Sequence, residues 1–123
     1  MDKIEIKNPK NPAETLLTME AVGTRLVVAD CRSFDVSSSD HIFSAVREEL
    51  FKEGAEYTEV YFDFSITQNL TSAALRHFSQ LLEDCTTDRD IKVYVGHASV
   101  SVANLITLSG YAAVLNMVDL QEA

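Results

Sequence analysis

YFDFSITQNLTSAAL, residues 61–75, joins a strand-like run to a helix-like run through a polar loop. Its apolar residues alternate with Tyr61 and Asp63, which predicts a half-buried strand over residues 60–64. After the loop, apolar residues recur at helical spacing, which predicts an amphipathic helix over residues 71–84. The rest of the chain is predicted to alternate strands and helices in the same way.

The polar loop places hydroxyl side chains where the second of the predicted helices begins. Thr71 or Ser72 can act as its N-cap, because a hydroxyl accepts a hydrogen bond from a first-turn N–H that has no intrahelical partner. The same geometry offers exposed N–H groups and the positive end of the helix dipole to an anion. A phosphoryl group added there would bring about −2 charges and change how a partner docks. Thr71 and Ser72 are therefore candidate phospho-acceptors as well as candidate caps.

Strand-length apolar runs and helix-spaced segments alternate along the chain. The predicted strands are residues 16–19, 26–31, 60–64, 91–95 and 114–118. A first helix is predicted from a capping-box-like pair, Ser37 and Asp40, to near Gly54. The other two helices are predicted over residues 71–84 and 100–109, with Gly110 placed as the C′ residue of the third. This alternation is typical of the α/β class.

The strand pattern also predicts how the sheet is covered. Lys92 and Tyr94 alternate with apolar residues, as Tyr61 and Asp63 do, whereas doubly wound sheets need strands that are apolar on both faces. We therefore expect an α/β fold with a small mixed sheet of four to five strands and helices packed mainly on one face.

The domain limits follow from the prolines and the length. Both prolines, Pro9 and Pro12, lie near the start and predict an irregular leader over residues 1–12. The remaining residues, 13–123, are long enough to form a single domain with its own core.

The composition disfavours several classes of partner. The chain of 123 residues carries a formal charge of −9 with 10 Lys and Arg, so nucleic acid and anionic membrane surfaces would repel it. No signal-peptide core and no run of 18 apolar residues is present, which favours a cytoplasmic location. Cys31 and Cys85 are expected to be buried, inert thiols.

Common catalytic motifs are missing from the sequence. GxSxG, GxxxxGK[ST], GxGxxG and HExxH do not occur, so we expect no enzymatic activity, no cofactor and no metal site. The adjacent Glu48 and Glu49 point in different directions on a helix and are expected to be solvated charges.

The histidines are separated in sequence. His41 and His77 are expected to lie on the surface. His97 directly follows the strand at 91–95, at the carboxyl end where α/β folds bind ligands. With Ser99 and the start of the third helix, it forms a candidate site for a nucleotide or another anion.

The residues quoted at the start resemble, without a gap, the signature of STAS domains, the fold of bacterial anti-sigma factor antagonists. In that family a buried strand leads into a loop and a helix that opens with Asp-Ser-Ser-Gly-Leu. RSFDVSSSDHIFSAVREELFKEG resembles the family's GxLD segment and first helix, and IKVYVGHASVSVANLITLSGYAAVLNMV resembles its closing strand, helix and last short strand. The resemblance covers roughly residues 16–120 and agrees with the fold that the periodicity predicts.

The chain departs from the family at the positions that matter for regulation. Thr71 stands at the family's aspartate and Ser72 at its first serine. Ala73 stands at the serine that the partner kinase phosphorylates, Ala74 at the glycine, and Leu75 on the leucine that fixes the register. Since alanine cannot accept a phosphoryl group, the usual phosphorylation switch is not expected at Ala73.

The resemblance implies a non-enzymatic regulatory domain that switches partners by binding a kinase-type anti-sigma factor. Its expected interaction surface comprises the loop from Gln68 to Ser72, the first turn of the second helix through Arg76, and the loop from Asp35 to Ser39. The partner-contacting residues predicted there are Asp35, Ser37, Ser39, Gln68, Asn69, Thr71, Ser72, Ala73 and Arg76.

Two alternatives belong to other classes of function. The resemblance also extends to the small STAS subunit of a phospholipid-transport ABC system, which docks onto an ATPase. The other alternative is a small-ligand or nucleotide-binding module at His97 and Ser99. A monomer or a weak homodimer is expected in each case.

Overall fold

Eleven regular elements form the described part of the chain. The computed structural model describes residues 3–34, 36–85, 87, 90–97, 99–108 and 116–118. The strands are β1 (Ile4–Asn8), β2 (Asn11–Val22), β3 (Arg25–Ala29), β4 (Ser33–Phe34), β5 (Glu59–Asp63), β6 (Asn69–Leu70), β7 (Lys92–Gly96) and β8 (Asn116–Val118). The helices are α1 (Val36–Phe51), α2 (Ser72–Asp84) and α3 (Val100–Leu108).

The main sheet is mixed and has the strand order β1-β2-β3-β5-β7-β8. The pairs β1–β2 and β2–β3 are antiparallel, whereas β3–β5, β5–β7 and β7–β8 are parallel. Each parallel step crosses over through a segment that contains a helix, as parallel neighbours require. The α/β class and mixed sheet predicted from the sequence are confirmed, and all five predicted strands lie in this sheet.

The N-terminal segment differs from its prediction. The irregular leader expected over residues 1–12 is wrong for the residues from Ile4 onward, because β1 and β2 form a hairpin with Asn8 opposite Asn11. Pro9 occupies the two-residue turn, where Asn8 Oδ1 accepts a hydrogen bond from the Lys10 N–H at 3.0 Å. Pro12 lies at the start of β2, where a strand tolerates a missing N–H. The hairpin adds a sixth strand to the predicted five.

One face of the sheet carries the core. Along β3 and β5, residues such as Val28 and Phe62 are buried, while their neighbours on the opposite face are only half-buried. On that opposite face the Arg25 guanidinium lies 5.4 Å from the Tyr61 ring centroid and 5.7 Å from that of Tyr94. The buried side chains of all three helices belong to one cluster with the inner strand residues. Coverage mainly on one face is therefore confirmed.

Gly96 shows how closely the outer face is packed. A Cβ atom at this position would lie 1.8 Å from Tyr61 Oη and 2.5 Å from Cζ of the same ring. Because such an approach is impossible without moving the ring, only glycine fits beneath Tyr61.

Five phenylalanines form the centre of the core. Phe78 of α2 lies against Phe43 of α1 at 4.9 Å and against Phe62 of β5 at 4.8 Å between ring centroids, in edge-to-face geometry. Phe34 and Phe64 complete the cluster at 5.9 and 5.8 Å from Phe78. Buried aromatic pairs of this kind contribute about 0.5–1.5 kcal/mol each beyond the area they bury. The cluster fixes α1 and α2 onto the same face of the sheet.

The helix limits agree closely with those predicted. α2 begins one residue after Thr71, and α3 ends at Leu108, while residues 109 and 110 lie outside the described part. α1 ends at Phe51, and Gly54 with φ of 84° forms the turn that follows. The prediction of a cap at Ser37 is wrong, because α1 begins at Val36 and Ser37 is its second residue; the side chain of Ser37 is not described.

The predicted environments of the histidines and cysteines agree with the structure. His41 is exposed, and His77 is half-buried with its ring stacked on Phe43 at 5.3 Å and 11°. Cys31 and Cys85 are buried thiols.

Glu49 is not the solvated carboxylate that the sequence predicted. It is only 9% exposed, and its carboxylate accepts hydrogen bonds from Tyr57 Oη at 2.7 Å and from Lys52 Nζ at 2.6 Å. Burial raises the pKa of Glu49, but the hydrogen bonds from Lys52 and Tyr57 outweigh it and leave the pKa below its usual 4.5. Burial and the same carboxylate raise the pKa of Tyr57 to about 12. Sequence reasoning missed this pair because Tyr57 lies beyond the end of α1.

Replacing Glu49 with Gln is expected to lower the free energy of unfolding at pH 7 by about 1–3 kcal/mol, the range for a hydrogen-bonded charge. Since the folded-state pKa is lowered, this stabilisation is present above pH 4.5 and is lost as the pH falls through the folded-state value. Denaturant titrations from neutral to acidic pH should therefore show that the gap in unfolding free energy between wild type and Glu49→Gln closes. Glu48→Gln, at the exposed neighbouring position, is the matched control and should show no such gap. A gap for Glu49→Gln that does not change with pH would contradict this assignment.

Candidate functional site

The loop after β5 is held against the segment that precedes α1. Thr67 Oγ1 donates to the Cys31 carbonyl at 2.6 Å, and the Gln68 N–H donates to the Arg32 carbonyl at 2.8 Å. The short parallel pair β4–β6 continues this contact, with Phe34 opposite Leu70. Two segments more than thirty residues apart therefore form one surface at the carboxyl edge of the main sheet.

Thr71 fixes the start of α2 to the same segment. Its hydroxyl donates to the Phe34 carbonyl at 2.7 Å, and its backbone N–H donates to the same oxygen at 3.2 Å. The hydroxyl also accepts from the Ala74 N–H at 3.3 Å, as an N-cap does. The predicted cap is confirmed at Thr71, and its single hydroxyl hydrogen is already used within the protein.

Ser72 presents an exposed hydroxyl at this turn. It occupies the first position of α2 and is exposed, while the following Ala73 is half-buried. Arg76, one turn further along α2, is also exposed and makes no ion pair with any described residue. Residues four apart lie on the same helix face. The structure therefore brings Ser72 and Arg76 together on one open face of α2.

The other residues of the predicted surface differ in how far the structure describes them. Gln68 is exposed, and Asn69 lies in β6, but its side chain is not described. Asp35 and the side chain of Ser37 lie outside the described residues.

The prediction that Ser39 contacts a partner is wrong for its side chain. Ser39 is 1% exposed, because it falls three, four and seven residues before Ile42, Phe43 and Val46 on the inner stripe of α1. That spacing is present in the sequence and could have identified Ser39 as a core residue.

A cleft of about 560 Å³ opens beside this surface. It lies between the loop after β5 and the start of α3, and its lining is largely polar. The lining residues are Arg32, Ser65, Ile66, Thr67, Gln68, Ser99 and Ser101. Arg32 is exposed and, like Arg76, has no ion-pair partner among the described residues.

The predicted ligand residues are only partly brought together. Ser99 lines the cleft, and its Oγ accepts from the Val102 N–H at 3.2 Å as a cap of α3. His97 directly follows β7 with φ of 57°, is half-buried, and does not line the cleft. Sequence reasoning missed Arg32 and Ser65, although both follow closely on parallel strands whose carboxyl ends meet at this edge.

Apolar side chains are exposed in the cleft lining and along α3. Ile66 in its lining is 42% exposed, and on α3 Val100 is 71% and Leu108 85% exposed. Contiguous exposed apolar patches are typical of surfaces that bind another macromolecule, whereas single exposed apolar side chains are ordinary. Among the described residues, no helix is long and apolar enough to cross a membrane.

The fold is similar to that of anti-sigma factor antagonists. The structure of the anti-sigma factor antagonist SpoIIAA in its unphosphorylated form matches with a TM-score of 0.71 and 13% identity, over 86% of this chain and 90% of that chain.

The second similar protein comes from Thermotoga maritima and is assigned as an anti-sigma factor antagonist. Its crystal structure matches with a TM-score of 0.71 and 10% identity, over 85% of this chain and 87% of that chain. Its NMR structure matches with a TM-score of 0.72 and 12% identity, over 82% of this chain and 78% of that chain. By sequence, no family model and no curated protein matches the chain. The STAS-type fold expected from the sequence is thus confirmed, and at this level of identity the likeness concerns the fold alone.

Replacing Thr71 with Ala is expected to lower the free energy of unfolding by about 1–2 kcal/mol, because the N-cap and the bond to Phe34 are lost together. Ser72→Ala is the matched control and should change stability by less than about 0.5 kcal/mol, as exposed positions do. Thr71→Ser keeps the hydroxyl and should restore most of the loss. Chemical denaturation of the three variants measures this, and equal effects of Thr71→Ala and Ser72→Ala would contradict the geometry.

Proposed function

We propose that this chain is a non-enzymatic regulatory domain that acts by binding a protein partner through the start of α2. The observation that carries the proposal is the division of roles at residues 71 and 72. Thr71 is committed to holding the turn, whereas Ser72 next to it is exposed. A fixed backbone with an open polar face is suited to recognition, because little conformational entropy is lost on binding.

The partner we propose is a kinase-type anti-sigma factor. Support comes from the names of the similar structures, which are anti-sigma factor antagonists, and from the position of the open face at the start of α2. Gln68, Ser72 and Arg76 would contact the partner, with the exposed Ile66 beside them. A specific interface of this kind buries about 1,200–2,000 Å² in total. We place the complex in the cytoplasm, where thiols such as those of Cys31 and Cys85 remain reduced.

Ser72 is the residue we propose as the phospho-acceptor, in preference to Thr71. Phosphorylation of Thr71 would remove the hydrogen that its hydroxyl donates to the Phe34 carbonyl. Phosphorylation of Ser72 breaks no bond between described residues and places the phosphate at a helix N-terminus, one turn from Arg76. The new charge would pair with Arg76 and remove that side chain from the partner.

Incubation with the partner kinase and ATP should raise the intact mass by one phosphoryl group in wild type and in Thr71→Ala, but not in Ser72→Ala. Ser72→Asp should weaken partner binding by about tenfold or more, equivalent to about 1.4 kcal/mol, measured by calorimetry. Ser72→Ala adds no charge and should weaken partner binding less than Ser72→Asp does. A mass gain that persists in Ser72→Ala would contradict the assignment of the acceptor. Recovery of an ABC ATPase instead of a kinase from the native host would favour the transport subunit.

A second candidate function is the binding of a small anion or nucleotide in the cleft at Arg32. It is favoured by an arginine without an ion-pair partner among the described residues, facing a cleft lined by the hydroxyl residues Ser65, Ser99 and Ser101. In a chain with a formal charge of −9, such a site must attract an anion locally.

Thermal-shift titrations with phosphate, sulfate and nucleotides test the cleft. Binding should stabilise the folded state by a free energy of RT ln(1 + [L]/Kd). The melting temperature should therefore rise with ligand concentration. Arg32→Ala should remove the response, whereas Arg76→Ala, which lacks a place in the cleft lining, should keep it. A flat response in wild type would eliminate this candidate.

A further inference from the structure

No described strand covers the outer edge of β1. β1 is the terminal strand of the main sheet, and among the described residues only β2 pairs with it. Alternate residues of such a strand direct their N–H and C=O groups away from the sheet, where another strand can bind them.

The apolar layer beneath this edge is incomplete. The side chains of Ile4 and Ile6 are only partly buried against the core, although they lie on its face. They line a groove of about 280 Å³ together with Met19 and residues of α1, including Ala45 and Glu48. A strand added beside β1 would bring its own inward side chains next to Ile4 and Ile6 and extend the layer over α1.

The opposite face of β1 carries alternating charges. Lys3, Glu5 and Lys7 are exposed, and Lys7 Nζ lies 3.5 Å from Glu5 Oε1. Charges on an edge strand usually prevent pairing with another chain. Here the signs alternate, so that attraction or repulsion between two copies depends on the register.

One antiparallel register pairs opposite charges over the whole length of β1. If Ile6 lies opposite Ile6 of a second copy, Glu5 lies opposite Lys7 on both sides, and every residue of β1 has a partner in β1. Registers centred on Glu5 or on Lys7 place like charges opposite each other, which is unfavourable. A register centred on Ile4 leaves only Ile4 opposite a residue of β1.

We propose that β1 is a homodimer interface in which two copies join their sheets antiparallel about a two-fold axis at Ile6. The interface is isologous, since each contact of one copy is repeated by the other. Five residues of edge strand bury less than a standard interface. The dimer is therefore weak and forms in a concentration-dependent way.

The proposed dimer leaves the proposed interaction surface free. Gln68 lies in the loop after β5, and Ser72 and Arg76 lie on α2, so none of them is part of β1. A dimer would present this surface twice, and a partner that is itself dimeric would gain affinity by avidity. The proposal does not depend on the identity of that partner.

Sedimentation equilibrium of the full chain tests the interface, over concentrations from about 1 μM to about 1 mM where small interfaces associate. Wild type is expected to dimerise at the upper end. Glu5→Lys and Lys7→Glu should each weaken the dimer by about tenfold or more, because like charges then face each other in both pairs. An equimolar mixture of the two variants should form heterodimers, and the double variant E5K/K7E should dimerise like wild type.

Two matched variants control for net charge. Glu83→Lys on α2 and Lys92→Glu on β7 change the net charge equally at exposed positions away from β1, and both should dimerise to an extent close to that of wild type. Circular dichroism melts confirm that each variant is folded. A wild type that stays monomeric at the highest concentration would overturn the proposal. So would single variants that dimerise like wild type, or a mixture that fails to recover the dimer.

Discussion

The carbonyl oxygen of Phe34 is the acceptor on which the arrangement of the site depends. It receives both the hydroxyl hydrogen and the backbone N–H of Thr71, at 2.7 and 3.2 Å. These two bonds join the segment that leads into α1 to the residue that caps α2. Because the donor and the cap are the same side chain, the start of α2 cannot shift without breaking its contact with the other segment.

The side chain of Phe34 ties this contact to the core. Its ring lies 5.7 Å from Phe43, 5.5 Å from Phe64 and 5.9 Å from Phe78, between centroids. One residue thus anchors the aromatic cluster through its side chain and the start of α2 through its carbonyl. The exposed turn at Ser72 is held by the same packing that stabilises the sheet against α1 and α2. The candidate site therefore lies where the aromatic core reaches the protein surface.

Local patterns predicted the elements well and the contacts between them poorly. Strand-length apolar runs identified five strands, helical spacing identified three helices, and the hydroxyls of Thr71 and Ser72 predicted a cap for α2. The bond from Thr71 to Phe34 joins residues 37 apart, and no local pattern encodes it. The buried Glu49 and the cleft at Arg32 were missed for the same reason, since Tyr57 and Ser99 reach them from other segments. The hairpin at Pro9 was missed because proline is tolerated in a two-residue turn.

Amide hydrogen exchange tests the central claim most directly, namely that the loop before α2 is held as part of the core. The N–H groups of Gln68 and Thr71, which donate to Arg32 and Phe34, should exchange nearly as slowly as those in the centre of β5. The N–H of the exposed turn residue Ile66 supplies the fast reference. Exchange at Gln68 and Thr71 as fast as at Ile66 would show that the loop opens independently, and would contradict the account.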